Sequence, residues 1–277
     1  MSQHNYSLQL YLQKPTTGLL SSPNVNFIGV PDFPRLQSQY HQLVCELERL
    51  HFNITEFSPQ TDSSDNFAIK KAAVITNQIA VLNKKDQTDG KYNKLIAILA
   101  QDKILHFIQP PGQISGDDVC QIGNQFIIAI SKSTNQEGAS QLAFHLTNAG
   151  HTVNIIDFGK ECPTPLKLSI APLGQNKLMI REDLAKHFAF LEYDKIVIPY
   201  SERHVLNCIL LENTLVIPAG YSVTRKILKK QNISFTEICV SELEKMQLGL
   251  SDVIQPIKHH VSGSKIIRHN IKHIAAA

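Results

Sequence analysis

The chain lacks most of the features that would commit it to a membrane, a metal or a nucleotide. From Met1 to Lys14 no apolar run follows basic residues, and no later stretch reaches the roughly 18 apolar residues that a spanning helix needs. The expectation is a chain with no membrane span and no usual export signal. Its 5 cysteines (Cys45, Cys120, Cys162, Cys208 and Cys239) are odd in number, widely scattered and without a CxxC pair, which argues against both a disulfide framework and a thiolate zinc site. A reducing cytoplasm fits that usage. No Gly-x-Gly-x-x-Gly, Gly-x-x-x-x-Gly-Lys-Ser/Thr, Gly-x-Ser-x-Gly or His-Glu-x-x-His run occurs, so no cofactor and no metal is expected. A net charge of +3 is too small to imply nucleic acid from the whole-chain balance. No stretch rich in Pro, Gly or Ser divides the chain, so one domain over residues 1–257 is expected.

What is present is an alternation of short apolar strands with amphipathic helices, over 277 residues of which 43% are hydrophobic. Leu36, Tyr40, Leu43, Val44, Leu47 and Leu50 fall at helical spacing after the Pro31–Pro34 breaker. Strands are expected at 72–75, 79–82, 104–108 and 126–130. Asn135 can cap a helix with apolar positions Ala139, Leu142, Ala143 and Leu146, closed by Gly150. The second half continues with strands at 153–158, 178–180 and 196–199, a helix from Glu182 to Phe190, and a hairpin of 208–211 with 214–217. A helix at Ser222–Lys230, a strand near 235–240 and an apolar run at 253–257 follow. The class is α/β, and periodicity alone leaves a doubly wound sheet and a propeller of ββαβ units both open.

Residues 258–277 stand apart as a basic tail. From Val253 to Ala277 there is no Asp or Glu, while Lys258, Lys265, Arg268 and Lys272 are joined by His259, His260, His269 and His273. Ile267, Ile271 and Ile274 share a helical face, so 266–274 reads as a short amphipathic helix. Docking on its own domain is the plain reading; contact with an acidic surface is the other. His269 and His273 have metal-pair spacing, but two ligands are insufficient.

The motifs choose between the two topologies. Pro111-Gly112-Gln113-Ile114-Ser115-Gly116-Asp117-Asp118-Val119, running on through Gly123-Asn124-Gln125-Phe126 to Ser131–Gly138, resembles the central signature of the dimethylargininase branch of the amidinotransferase and arginine deiminase family. Pro15, Gly18-Leu19, Pro31-Asp32 and Gln39-Tyr40-His41 agree with it in order, as do Asn207-Cys208 leading to Val216–Tyr221 and Ser241–Lys245 leading to Gly249-Leu250. The resemblance spans about residues 8 to 257. It implies the pentein fold, a five-bladed β/α propeller of ββαβ modules with pseudo-five-fold symmetry around a central site.

That family attacks a guanidinium carbon with a cysteine, using a histidine to move protons and carboxylates to hold the cation. By the resemblance, those roles fall here on unsuited residues. The nucleophile's place after Gly249-Leu250-Ser251 is taken by Asp252, and the histidine's place, counted back from Leu173-Gly174, by Pro165, with Leu166-Lys167 after it. The acidic residue before the Gly-Asp pair becomes Ser115 (or, in a slipped register, Asp117), the aspartate that follows Phe67 becomes Lys70, and an arginine becomes Ser133. The catalytic set is therefore expected to be absent. The old cavity, with Phe67, Lys70, Asp117, Asp118, Ser133, Asn207 and Asp252, is expected to take a small amino-acid-like ligand, with a protein partner as the other possibility. Asp118 is read as the acidic member of a turn that orders the central blades. Cys120, Cys45, Cys208 and Cys239 read as core, and Cys162 as an inert loop thiol. Two function classes remain: a non-catalytic pseudoenzyme, and an active hydrolase or amidinotransferase on a guanidino compound with relocated chemistry. Because a carboxylate became Lys70 and a thiol became Asp252, these two are expected to form a salt bridge across the cavity.

Overall fold

The computed structural model describes residues 6–21, 29–57, 69–85, 92–159, 165–174 and 176–260. Its strands form five three-stranded sheets of one design: a first strand antiparallel to the second, the second parallel to the third. β3 (Ala73–Ile75), β4 (Ile79–Asn83) and β5 (Ile104–Ile108) make one module, with the helix Asn93–Leu99 crossing between the parallel pair. β6 (Val119–Ile122), β7 (Gln125–Ala129) and β8 (Thr152–Ile156) make the next, crossed by the helix Gln136–Asn148. β9 (Ile170–Pro172), β10 (Lys177–Arg181) and β11 (Asp194–Ile198) make the third. β12 (Ile209–Leu211), β13 (Thr214–Pro218) and β14 (Phe235–Ile238), crossed by the helix Ser222–Lys230, make the fourth. In the fifth, β15 (Ile254–His260) pairs antiparallel with β1 (Tyr6–Gln13), which runs parallel to β2 (Asn53–Phe57), and Phe33–Arg49 is the crossing helix.

The middle strands explain why the modules form a ring. Val216 faces one apolar cluster while its neighbours Leu215 and Ile217 face another, and Ile127 alternates with Phe126 and Ile128 in the same way. A strand buried on both faces needs cover on both, and the period of two assigns each face to a different neighbour. Each apolar cluster joins adjacent modules: Val81 with Phe126, Ile127 with Leu178, Met179 with Leu215, Val216 with Leu10, and Tyr11 with Leu82. That sequence returns to its start, which is the five-bladed propeller expected above.

Local chemistry sets the elements. Asp32 caps Phe33–Arg49 by accepting from Arg35 N at 2.7 Å, and Leu36, Leu43 and Leu47 are buried on its inner stripe. Asn135 caps its helix as expected, accepting from Gly138 N at 2.8 Å. The expected helix from Glu182 to Phe190 is instead two 3₁₀ turns, Glu182–Leu184 and Phe188–Phe190. His187 separates them, its ring accepting from Ala189 N at 3.2 Å and starting a new turn rather than continuing the first. The strands β1, β2, β6 and β9 and the helix Asn93–Leu99 were not foreseen. Strand pairing runs through Lys258, His259 and His260 at the end of β15. The basic tail beyond 260 lies outside the described residues.

The fifth module is clasped to the first at that strand end. His259 Nδ1 lies 3.2 Å from Asp102 Oδ2 and its Nε2 3.0 Å from the Tyr11 hydroxyl. Asp102 also accepts from His260 N at 2.9 Å, and Lys103 Nζ donates to the Lys258 carbonyl at 2.7 Å. Burial holds the His259 imidazole below its ordinary pKa, the pull of Asp102 offsetting this only in part. The fold thus favours neutral His259. Its contribution is fully present above the unfolded pKa and is lost as pH falls through the lower folded value. We expect the melting temperature to drop as pH falls from about 7 to about 5, and His259→Gln to flatten that slope; an unchanged slope would remove His259 from the clasp's pH response.

Candidate functional site

Every first strand is preceded by a short helical turn: Ile69–Ala72 before β3, Gly116–Asp118 before β6, Leu166–Leu168 before β9, Tyr200–Leu206 before β12 and Leu250–Val253 before β15. Because the first strands occupy equivalent places in the ring, their lead-in turns converge on its axis. The turns touch in order, from Ile69–Ala72 to Gly116–Asp118, Leu166–Leu168 and Tyr200–Leu206, and Leu250–Val253 returns to Ile69–Ala72. Asn207 closes the remaining gap by hydrogen bonds to the last turn. Gly116 is required by this crowding, since a Cβ there would lie 1.9 Å from the Lys70 carbonyl oxygen.

Each turn delivers a polar side chain at nearly the same offset. Lys71, Asp117, Asn207 and Asp252 each stand two residues before a strand, and Lys167 one residue further back. At the centre, Lys167 Nζ donates to Asp252 Oδ1 in a very short contact and lies 3.0 Å from Asp117 Oδ2. Asp252 Oδ2 accepts from Asn207 Nδ2 at 2.8 Å and from Gly249 N at 2.9 Å. Asn207 Oδ1 in turn accepts from Ser251, through its N at 3.2 Å and its hydroxyl. Lys71 approaches Asp117 Oδ2 at 3.8 Å from the more exposed side.

These are deeply buried charges, Lys167 at 7% exposed and Asp252 at 1%. Burial pushes the Asp252 carboxyl up, but the Lys167 ammonium and the Asn207 and Gly249 donors more than offset it, leaving the group below its ordinary value. Burial likewise pulls Lys167 down, and Asp252 and Asp117 together hold it above its ordinary value. Both signs favour the ionised pair. Asp252 loses its share as pH falls through its depressed pKa, and Lys167 loses its share as pH rises through its raised one, so the pair persists across the neutral range.

The expected bridge between Lys70 and Asp252 is not the pairing found. Lys167 fills that role, because the turn Leu166–Leu168 places its side chain on the axis, while Lys70 makes no ion pair among the described residues. Lys167 was visible in the sequence beside Pro165, and its offset before an apolar strand was the signal that could have marked it. Pro165 itself is exposed and only leads into the turn. Asp118 lies off the ion pair: its Oδ2 accepts from the hydroxyls of Ser131 at 2.6 Å and Thr134 at 2.8 Å. Burial raises its pKa, those two donors opposing. Ser115 is buried, its N donating to Thr134 Oγ1 at 2.9 Å, whereas Ser133 is exposed and its N donates to Ser131 Oγ at 2.9 Å. Phe67 and Cys162 lie outside the described residues. No group of three or more His, Cys, Asp or Glu side chains that could hold a metal occurs among the described residues.

Cys120 and Cys208 are buried beside the axial turns, and burial pushes each thiol up to about 12. They are protonated at neutral pH and poor nucleophiles. Cys45 and Cys239, expected in the core, are exposed: Cys45 sits between the buried positions Leu43 and Leu47, off their stripe, and Cys239 follows the end of β14.

The ring of ββαβ modules defines the class: this is the fold of the amidinotransferase and arginine deiminase superfamily, the penteins. Within it the chain is similar to dimethylargininases. It is 24% identical over 244 residues, 86% of this chain and 94% of the relative, to N(G),N(G)-dimethylarginine dimethylaminohydrolase of Pseudomonas aeruginosa. The structure of a cysteine-to-serine variant of that enzyme complexed with citrulline superposes with a TM-score of 0.80 at 22% identity, covering 92% of this chain and 99% of that one. An amidinotransferase of Microseira wollei from the saxitoxin biosynthetic pathway gives 0.70 at 13% identity, over 91% and 94% of the two chains. No family model matches the chain. No helix among the described residues is long and apolar enough to cross a membrane.

Two substitutions test the axial network. Lys167→Met strands two buried carboxylates and is expected to cost about 3–5 kcal/mol in urea unfolding at neutral pH, with a smaller loss in acid, where Asp252 can protonate. Gly116→Ala forces two turns apart and is expected to cost about 1–3 kcal/mol.

Proposed function

We propose that this chain is a non-catalytic, dimethylargininase-like pentein that binds a small amino-acid-like ligand or a protein partner through its axial end. One observation carries the reading. Asp252, which the resemblance puts in the nucleophile's place, is a buried carboxylate held by Lys167, Asn207 and the Gly249 N–H. A buried carboxylate with three of its roughly four acceptor sites engaged is poorly placed to attack, and it offers no thiolate for a covalent intermediate. The neighbouring turn adds Pro165, which cannot move a proton, and the two thiols near the axis are protonated. Removing members of a cooperating catalytic set costs orders of magnitude in turnover, and the losses do not simply add. With this reading go a cytoplasmic location, a single domain that takes in β15 to His260, and contact of the basic tail with an acidic surface.

The test is incubation of the purified chain with arginine, methylated arginines and agmatine, followed by colorimetric detection of ureido product. Product at the level of the buffer blank is expected. Robust turnover, whether or not it survives Cys162→Ala, would replace this reading with a guanidine hydrolase whose chemistry has moved.

A further inference from the structure

Lys167, Asp252 and Asp117 bring an amine, a carboxyl group and a second carboxylate into direct contact, with side chains only 4%, 0% and 4% exposed. Lys167 Nζ donates to Asp252 Oδ1, so the carboxyl carbon is one bond beyond the atom that the amine already touches. The other oxygen, Oδ2, accepts from Asn207 Nδ2 at 2.8 Å and from Gly249 N at 2.9 Å. Two donors fixed on one oxygen are the arrangement that stabilises an oxyanion as the carbon beside it is attacked. Asp117 Oδ2 lies 3.0 Å from the same Nζ, and its Oδ1 has no hydrogen-bond partner among the described residues, so this carboxylate is in place to take a proton from the amine. Nucleophile, acceptor carbon, oxyanion donors and proton carrier thus meet at one point, although Lys167 and Asp252 are 85 positions apart in the chain.

We propose that Lys167 and Asp252 condense after folding into an intramolecular isopeptide bond, tying the turn Leu166–Leu168 to the turn Leu250–Val253. The step balances without any co-reactant. One proton passes from the ammonium to Asp252 Oδ1, leaving a neutral amine beside a carboxylic acid. The nitrogen lone pair then forms a bond to the carboxyl carbon, while Oδ2 takes the negative charge between Asn207 and Gly249 N. Asp117 removes a second proton from the nitrogen and hands it to Oδ1, which departs with its bonding pair as water, and Oδ2 becomes the amide oxygen. Holding the two groups in contact replaces an encounter in solution, with effective concentrations on the order of 10⁵ M or more for well-oriented groups. The ionised pair is favoured at neutral pH, so the neutral pair that reacts is a minor population and the bond is expected to form slowly, after the ring has closed. The inference goes beyond the non-catalytic reading and needs no ligand.

Mass spectrometry of the full chain, denatured after the folded protein has stood for days at neutral pH, tests it. The unaltered chain is expected to become lighter than its sequence by one water, and digestion to yield a branched peptide that joins the segments of Lys167 and Asp252. Lys167→Arg keeps a cation beside both carboxylates but is expected to hold the full sequence mass. Asp117→Asn is expected to slow the loss of water by about tenfold or more, and it carries the comparison if Lys167→Arg fails to fold. Full sequence mass in the unaltered chain throughout would reduce the pair to a salt bridge and overturn the proposal. A loss of water that persists in Lys167→Arg, or that maps to a linear peptide as a cyclised aspartate would, overturns it equally. An unchanged rate in Asp117→Asn would overturn the proton-carrying role of Asp117.

Discussion

Burial of the middle strands on both faces is the constraint on which the rest of this molecule depends. β4, β7, β10, β13 and β1 each send alternate side chains into two different apolar clusters, so no module can bury its own surface alone. Neighbours must be supplied on both sides, and the arrangement that leaves no module uncovered is a closed ring. Closure then dictates what happens at the axis. Five lead-in turns are driven together by packing elsewhere, and whatever polar side chains they carry must come to terms with each other in a space with little water.

The chain's answer to that crowding is an ion pair with a full set of supporting hydrogen bonds. Lys167, Asp252 and Asp117 come from three turns, and Asn207 with Ser251 ties in a fourth. Such a pair gains little over apolar packing but is costly to break singly, which makes it a device for fixing position more than for adding stability. The structural likeness to a dimethylarginine dimethylaminohydrolase complexed with citrulline is a likeness of fold.

The fold was legible in the sequence to the extent that its parts were local. The capping Asn135, the stripe Leu36–Leu43–Leu47, the hairpin around Glu212-Asn213 and the helix Ser222–Lys230 all stand where spacing puts them. β1 and β2 were missed because their patterns acquire meaning only from partners far along the chain, β15 for β1 and β1 for β2. The site was legible in part. Motif order put Asp252, Asp117 and Asn207 on the axis, but the choice of Lys167 over Lys70 as partner depends on which turn points inward. That is a property of the closed ring and not of any segment. The paired turns at Glu182–Phe190 went astray for a smaller reason, a side chain bonding its own backbone at His187.

The pairing of β15 with β1 has one more implication. The ring's fifth sheet is assembled from the two extremes of the described chain, and the antiparallel contact runs from Tyr6 opposite His260 to Leu12 opposite Ile254. During synthesis four modules can form in order, yet β1 and β2 must wait with one edge unserved until β15 leaves the ribosome. The seam between the fifth and first modules, and the axial turn bearing Asp252, are therefore completed last. A nascent chain halted short of β15 therefore leaves the antiparallel edge of β1 unpaired.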